Sequence, residues 1–187
     1  MKSKTTSIIA GSLFLLIAFV SVVQFGLIVQ SNLINGGKLF VILLSNWVFI
    51  ATIIFEIILA FALFKDELSS AIMISLIGLL VLNVLNFIPM IKTNFASITF
   101  IIVMQILALI LPKILLLVSY FKCNNNDVVT AFYLPALIYF ACNIVPTVAS
   151  ISAYNGLFIS PQPIMQVLSY LLTTLAYFTL GAYFKKY

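Results

Sequence analysis

Two ionisable residues stand inside long apolar segments of this 187-residue chain, and they are the first candidates for chemistry. Glu56 lies nine residues before Lys65, and Lys113 lies nine residues before Lys122. If these segments are helices, both side chains lie about 13 Å from a charged end. An ionisable group in hydrocarbon costs about 2.5–3.5 kcal/mol, so each should face the protein interior. We predict an intramembrane ion pair. Three interpretations stay open: a structural pair, a pair that carries function, or no contact between the two.

A second set of polar and aromatic side chains lies toward the opposite ends of the apolar segments. Hydrogen bonds between membrane helices contribute about 0.6 kcal/mol on average. These side chains therefore either join packed helices or line a cavity that opens outward and binds a small molecule. Asn83 and Asn86 are three residues apart and share a helix face, which both interpretations require. The candidates for lining such a cavity are Gln24, Asn46, Trp47, Asn83, Asn86, Gln105, Tyr139 and Asn143.

The sequence gives little support for an enzyme, because the common catalytic motifs are absent from it. It contains no histidine, the usual general base at neutral pH, and no pair of carboxylates within one apolar segment. It also lacks a nucleophile motif and a glycine-rich phosphate loop. The stretch from Lys122 to Asp127 is interpreted as a solvated turn, and no disulfide is expected between Cys123 and Cys142. We predict a non-enzymatic protein with no catalytic residues, no metal site and no cofactor.

The composition requires lipid as the solvent for most of the surface. The chain is 64% hydrophobic and 7% charged, whereas globular domains average about 45–50% apolar and about 25% charged residues. A helix needs about 20 apolar residues to cross a bilayer, and six segments qualify. Short connections make neighbouring segments antiparallel. The sequence predicts an all-α, polytopic membrane helix bundle that forms a single domain over residues 1–187. Its six transmembrane helices are expected at residues 7–30, 39–64, 68–91, 95–121, 128–152 and 164–184.

Lysine placement predicts the orientation of this bundle. Basic residues are enriched in short cytoplasmic loops. With the N-terminus inside, six lysines fall on the cytoplasmic side and only two on the outer side. Both termini are therefore expected in the cytoplasm, with the first apolar segment retained as a span. Abundant Ile, Phe, Asn and Lys, with no Arg, indicate the plasma membrane of a bacterium with an AT-rich genome.

A weak internal repeat divides the predicted spans into three tandem helix hairpins. Each even-numbered span ends in a Phe-Lys pair, which any span can use as an interfacial anchor. The amide and proline matches are harder to explain by anchoring. Parallel repeats of this kind are unlike the inverted repeats of many secondary transporters. A shift of 57 residues aligns Phe64-Lys65 with Phe121-Lys122, Asn86 with Asn143, and Pro89 with Pro146.

Two functional hypotheses follow from these patterns. The first is a subunit that binds, regulates or assembles with another protein in the lipid bilayer. The alternative is a small-solute transporter or the substrate-binding membrane subunit of an importer. Nucleic acid is not expected as a partner, because the lysines lie at helix ends instead of clustering on one face. A cavity of a few hundred Å³ lined by the outer amides would favour the alternative.

Overall fold

Helices account for every regular element in the part of the chain that the computed structural model describes, which comprises residues 2–93, 103, 106–122, 132–148 and 161–186. The α-helices are α1 (Lys2–Ile34), α2 (Leu39–Ser45), α3 (Trp47–Phe64), α4 (Ser70–Thr93), α5 (Leu111–Lys122), α6 (Leu134–Tyr139) and α7 (Pro161–Lys186). A π-helical turn at Ile106–Ile110 precedes α5, and a second one at Phe140–Ile144 follows α6. The all-α prediction is confirmed for these residues.

Several of the described helices are suited to lipid. Three are long and apolar enough to cross a bilayer, and two shorter apolar helices accompany them. Their outward faces carry large apolar side chains, of which Phe19 and Phe61 are more than half exposed. A soluble protein rarely exposes apolar surface so extensively, so these helices indicate a membrane location. The three long helices are Lys4–Ile34, Trp47–Phe64 and Ile164–Lys185, and the shorter ones are Ser70–Asn86 and Leu134–Val148.

Side-chain contacts bring the lysine-bearing helix ends together. The Ser7 hydroxyl on α1 donates a hydrogen bond to the carbonyl of Leu63 near the end of α3. The Tyr120 hydroxyl on α5 donates to the carbonyl of Ser69, just before α4, at 3.2 Å. The Tyr120 ring also meets Phe184 of α7 edge-on, with 5.8 Å between ring centroids. We call this part of the bundle the lysine end, since Lys65, Lys122 and Lys185 lie there, exposed.

The buried core is concentrated in the half of the bundle near the lysine end. The largest fully buried side chains include Leu59 and Leu63 of α3 and Tyr183 and Phe184 of α7. In contrast, no residue of α1 beyond Ser21 is buried. Close packing at one end and looser packing at the other leave space between the helices in the second half.

Asn46 interrupts the second predicted span, which was expected to run unbroken over residues 39–64. Its backbone leaves the helical region at φ −109° and ψ 22°, so that α2 ends there and α3 begins at Trp47. The Asn46 amide donates to the carbonyl of Ile42 at 2.8 Å. Asn side chains compete in this way with backbone hydrogen bonds and favour helix ends.

The predicted 57-residue repeat stays a prediction. Asn86 and Asn143 lie in different local structures, since Asn86 is within the continuous helix α4 and Asn143 is within a π-helical turn. The shift of 57 residues aligns the start of the second predicted span with residues 96–105. Most of residues 96–105 lie outside the described residues.

A close backbone contact at the lysine end gives a test of this packing. A Cβ atom added at Gly181 of α7 would overlap the backbone carbonyl oxygen of Phe132, whereas one added at Gly26 of α1 would meet nothing within 4 Å. We expect Gly181→Ala to lower the free energy of unfolding by about 1–3 kcal/mol, the usual cost of overpacking. Gly26→Ala, the control, should leave it unchanged or raise it, because alanine favours helix. Thermal unfolding in detergent measures both. Equal midpoints for the two variants would contradict the contact.

Candidate functional site

A cavity of about 490 Å³ lies between the helices and extends away from the lysine end. It begins near Phe14 on α1 and Tyr177 on α7, and it reaches Ile28, Asn86 and Gln166. The stretch of α1 from Phe14 to Ile28 corresponds to about 21 Å of helix. Small-molecule sites commonly measure about 300–1,000 Å³. The polar side chains of the lining are Ser21, Gln24, Thr52, Glu56, Asn83, Asn86, Lys113, Gln166, Ser169 and Thr173.

Glu56 lines this cavity, and one of its carboxylate oxygens has no hydrogen-bond partner among the described residues. Its Oε2 atom is shielded from solvent and accepts no hydrogen bond from the described part of the chain. The Ser21 hydroxyl and the Lys113 ammonium both interact electrostatically with the carboxylate. On α3, Phe49, Thr52 and Glu56 follow at intervals of three and four residues, so they share one helix face. All three line the cavity, which places the carboxylate on the polar face of an otherwise apolar helix.

Lys113 lines the same cavity from α5, where its side chain is buried. The ammonium donates a hydrogen bond to the carbonyl of Leu109 at 3.2 Å and lies 6.0 Å from the ring centre of Tyr177. An ammonium has three donors, so this hydrogen bond leaves capacity for a further acceptor. Glu56 and Lys113 thus face one space and attract each other. The structural and the functional interpretation of the pair both stay predictions.

Pro112 and Asn143 together set the local backbone that carries Lys113. Proline has no N–H, so Pro112 cannot donate to the carbonyl four residues earlier, which is that of Ala108. In the structure the Asn143 amide donates to Ala108 at 3.2 Å and to the Tyr139 carbonyl at 3.0 Å. Asn143 is therefore buried between two helical segments, joins the two π-helical turns, and does not line the cavity.

Three tyrosines form an aromatic wall beside the charged groups. The Tyr139 ring of α6 meets Tyr170 and Tyr177 of α7 edge-on, with centroid separations of 6.0 and 5.2 Å. Tyr139 was predicted as a stacking surface for a ligand, and it does line the cavity. The Tyr170 hydroxyl accepts a hydrogen bond from the Gln166 amide at 2.8 Å. Aromatic faces of this kind suit both apolar groups and cations.

The predicted amide set is divided by the structure. Gln24, Asn83 and Asn86 line the cavity from α1 and α4. Asn46 does not line the cavity; it lies at the junction of α2 and α3. Trp47 does not either, since it begins α3 with its side chain 52% exposed on the outer surface. Gln105 lies outside the described residues.

The polar face of α7 is the part of the site that the sequence analysis missed. Four residues of this helix at intervals of three or four, Gln166, Tyr170, Thr173 and Tyr177, line the cavity together with Ser169. Their spacing was visible in the sequence and is typical of one helix face. It was overlooked because hydroxyl groups are common on membrane helices and carry no charge.

This cavity presents groups that can form hydrogen bonds and ionic contacts. It offers one carboxylate, one ammonium, carboxamides, hydroxyls and tyrosine rings. Among the residues that the structure describes, no three His, Cys, Asp or Glu side chains are grouped closely enough to hold a metal ion. Cys142 is a free thiol, and Cys123 falls outside the described ranges.

Comparison with known proteins assigns no family to the chain. No protein-family model matches it, and no curated protein or solved structure is significantly similar to it.

The coupling between the two charged residues can be measured directly. Removing one partner of a buried pair leaves a lone charge and costs about 3–5 kcal/mol in soluble proteins, and less in membranes, where that charge can draw in water. Glu56→Gln and Lys113→Met should each lower the free energy of unfolding more than the double variant does. Thermal unfolding of the three variants in detergent completes the double-mutant cycle. Additive losses would contradict coupling between the two side chains.

Proposed function

We propose that this protein binds a small solute in the cavity between its helices and acts as a small-solute transporter or as the substrate-binding membrane subunit of an importer. The observation that carries this proposal is the convergence of polar side chains from α1, α3, α4, α5 and α7 on one cavity of about 490 Å³. The proposal therefore adopts the alternative of the two sequence-based hypotheses. No feature of the described residues specifically favours the subunit that binds another membrane protein.

The physical cost of the polar lining supports a role in binding. Polar and ionisable groups inside a membrane bundle are expensive, and they usually mark the pathway of a substrate or ion. A protein that needed only stability would fill this space with apolar side chains, as it does near the lysine end. Here Glu56, Lys113 and Asn83 instead surround an open volume of the size that small-molecule ligands occupy.

The proposal includes the finer topology expected from the sequence. Six spans with both termini in the cytoplasm would place the lysine end at the cytoplasmic surface, where basic residues are enriched. The grouping of Lys65, Lys122 and Lys185 at one end of the bundle supports this orientation. In it, the cavity extends from mid-membrane toward the outer surface, with Asn86 and Gln166 on the outer side. The proposal also places the protein in the plasma membrane of a bacterium, the location predicted from the sequence.

Filling the cavity tests the proposal against a matched control on the same helix. Asn83 lines the cavity, whereas its neighbour Val84 is 44% exposed on the outer face of α4. Asn83→Phe adds a ring inside the cavity, and Val84→Phe adds the same ring on the lipid side. A thermal-shift screen of amino acids, sugars, nucleosides and vitamins is run on the wild-type protein and on both variants in detergent.

We expect a solute that raises the unfolding midpoint of the wild type and of Val84→Phe but not of Asn83→Phe. At a concentration of about 100 times its Kd, a ligand stabilises the folded state by about 2.7 kcal/mol. For a chain of this length that corresponds to a rise of about 5–10 °C. The proposal is contradicted if no solute stabilises the wild type, or if every stabilising solute acts equally on Asn83→Phe.

A further inference from the structure

We infer that the cavity takes a small zwitterion, a molecule that carries one ammonium and one carboxylate, with its ammonium at Glu56 and its carboxylate at Lys113. This inference rests on the proposed function and deepens it, because it names the chemical class of the solute. It depends on the placement of the two charged groups, on the hydrogen bonds that each still lacks, and on the net charge of the cavity.

The carboxylate side of the site calls for a donor. Glu56 lines the cavity, and its Oε2 atom, which is shielded from solvent, has no hydrogen-bond partner among the described residues. An unsatisfied buried oxygen of a charged group is costly, and the cost is removed when a donor reaches it. Hydrogen bonds between ions are the strong ones, so an ammonium group is the most favourable donor at this position. The neighbouring tyrosine rings also favour a cation.

The lysine side of the site calls for an acceptor. The Lys113 ammonium uses one donor on the carbonyl of Leu109, in its own helix. It is buried, so water outside the cavity does not solvate it. A carboxylate entering the cavity can accept one of the remaining donors and offset the positive charge. The π-helical turn that precedes Pro112 and Lys113 is bonded to Asn143 through the carbonyl of Ala108. This hydrogen bond helps to fix the backbone that carries the lysine.

The net charge of the cavity selects a molecule that carries both signs. Glu56 and Lys113 together are neutral, so a ligand with only an ammonium or only a carboxylate would leave an uncompensated charge in a low-dielectric space. It would also be repelled by whichever residue has its own sign. A zwitterion satisfies both residues and leaves the cavity neutral. Its remaining side group then lies among Phe49, Leu79 and the tyrosine wall, which favours an apolar or aromatic group.

Two series of probes matched in shape test the charge requirement on the wild-type protein. The first is phenylalanine, phenethylamine and 3-phenylpropionate, and the second is leucine, isoamylamine and 4-methylpentanoate. Within each series the second compound lacks the carboxylate and the third lacks the ammonium. Binding to purified protein in nanodiscs is measured by isothermal titration calorimetry. We expect at least one of the two amino acids to bind saturably, and both of its analogues to bind more weakly by about tenfold or more.

Two variants assign each charge of the ligand to its residue. Glu56→Gln should reduce the preference for the amino acid over the acid that lacks the ammonium. Lys113→Met should reduce the preference over the amine that lacks the carboxylate. Each variant should leave the other preference largely intact, which a general loss of stability would not do. Val84→Phe serves as the control, since it lies outside the cavity and should keep both preferences.

The outcomes separate this inference from the proposed function. If an amine or an acid alone binds as tightly as the amino acid, the inference that the ligand is a zwitterion is wrong, while the proposal that the cavity binds a small solute is unaffected. If none of the six probes binds, the zwitterion is again overturned, and the cavity-filling screen decides on solute binding separately. If the variants elute as aggregates in size-exclusion chromatography, the two probe series on the wild type still decide.

Discussion

The arrangement of this protein depends on how two opposite charges are accommodated within apolar helices. Glu56 and Lys113 attract each other across a shared cavity, yet the hydrogen bond of the lysine runs to its own helix and one glutamate oxygen has none. Charged groups inside a membrane protein are stable only beside partners or water. Keeping a cavity open between the helices supplies that polar surrounding, and the closely packed lysine end holds the helices in place around it.

The two halves of the bundle differ in packing, and the proposed binding site lies in the more loosely packed half. Near the lysine end, a Cβ atom added at Gly11 would collide with α3 and one added at Gly181 would collide with the carbonyl oxygen of Phe132, and Tyr183 and Phe184 are fully buried. Toward the other end, burial along α1 stops after Ser21, and polar side chains join apolar ones around the cavity. A closely packed end and an open end on the same helices allow a polar site to exist without loosening the whole bundle.

Sequence patterns predicted the helical class, the membrane location and part of the site, for reasons visible in particular residues. Glu56 and Lys113 are conspicuous because charge is rare in apolar segments, and Asn83 and Asn86 because their spacing gives one helix face. Asn46 and Asn143 were equally conspicuous, but Asn46 lies at the junction of α2 and α3, and Asn143 is buried between two helical segments, where it bonds to the carbonyl that Pro112 leaves free. These placements depend on the backbone of neighbouring segments, which composition and spacing do not reveal.

Water access to the cavity tests the central claim most directly. In a Cys123→Ser, Cys142→Ser background, single cysteines replace Thr52, which lines the cavity, and Ile54, which is 51% exposed on the outward face of the same helix. Thiols react as thiolates, so a charged methanethiosulfonate reagent modifies only a cysteine that meets water. In nanodiscs, the cysteine at position 52 should react about tenfold or more faster than the one at position 54, since a water-filled cavity supports ionisation and lipid does not. Equal rates, or no reaction at position 52, would contradict a polar cavity between the helices.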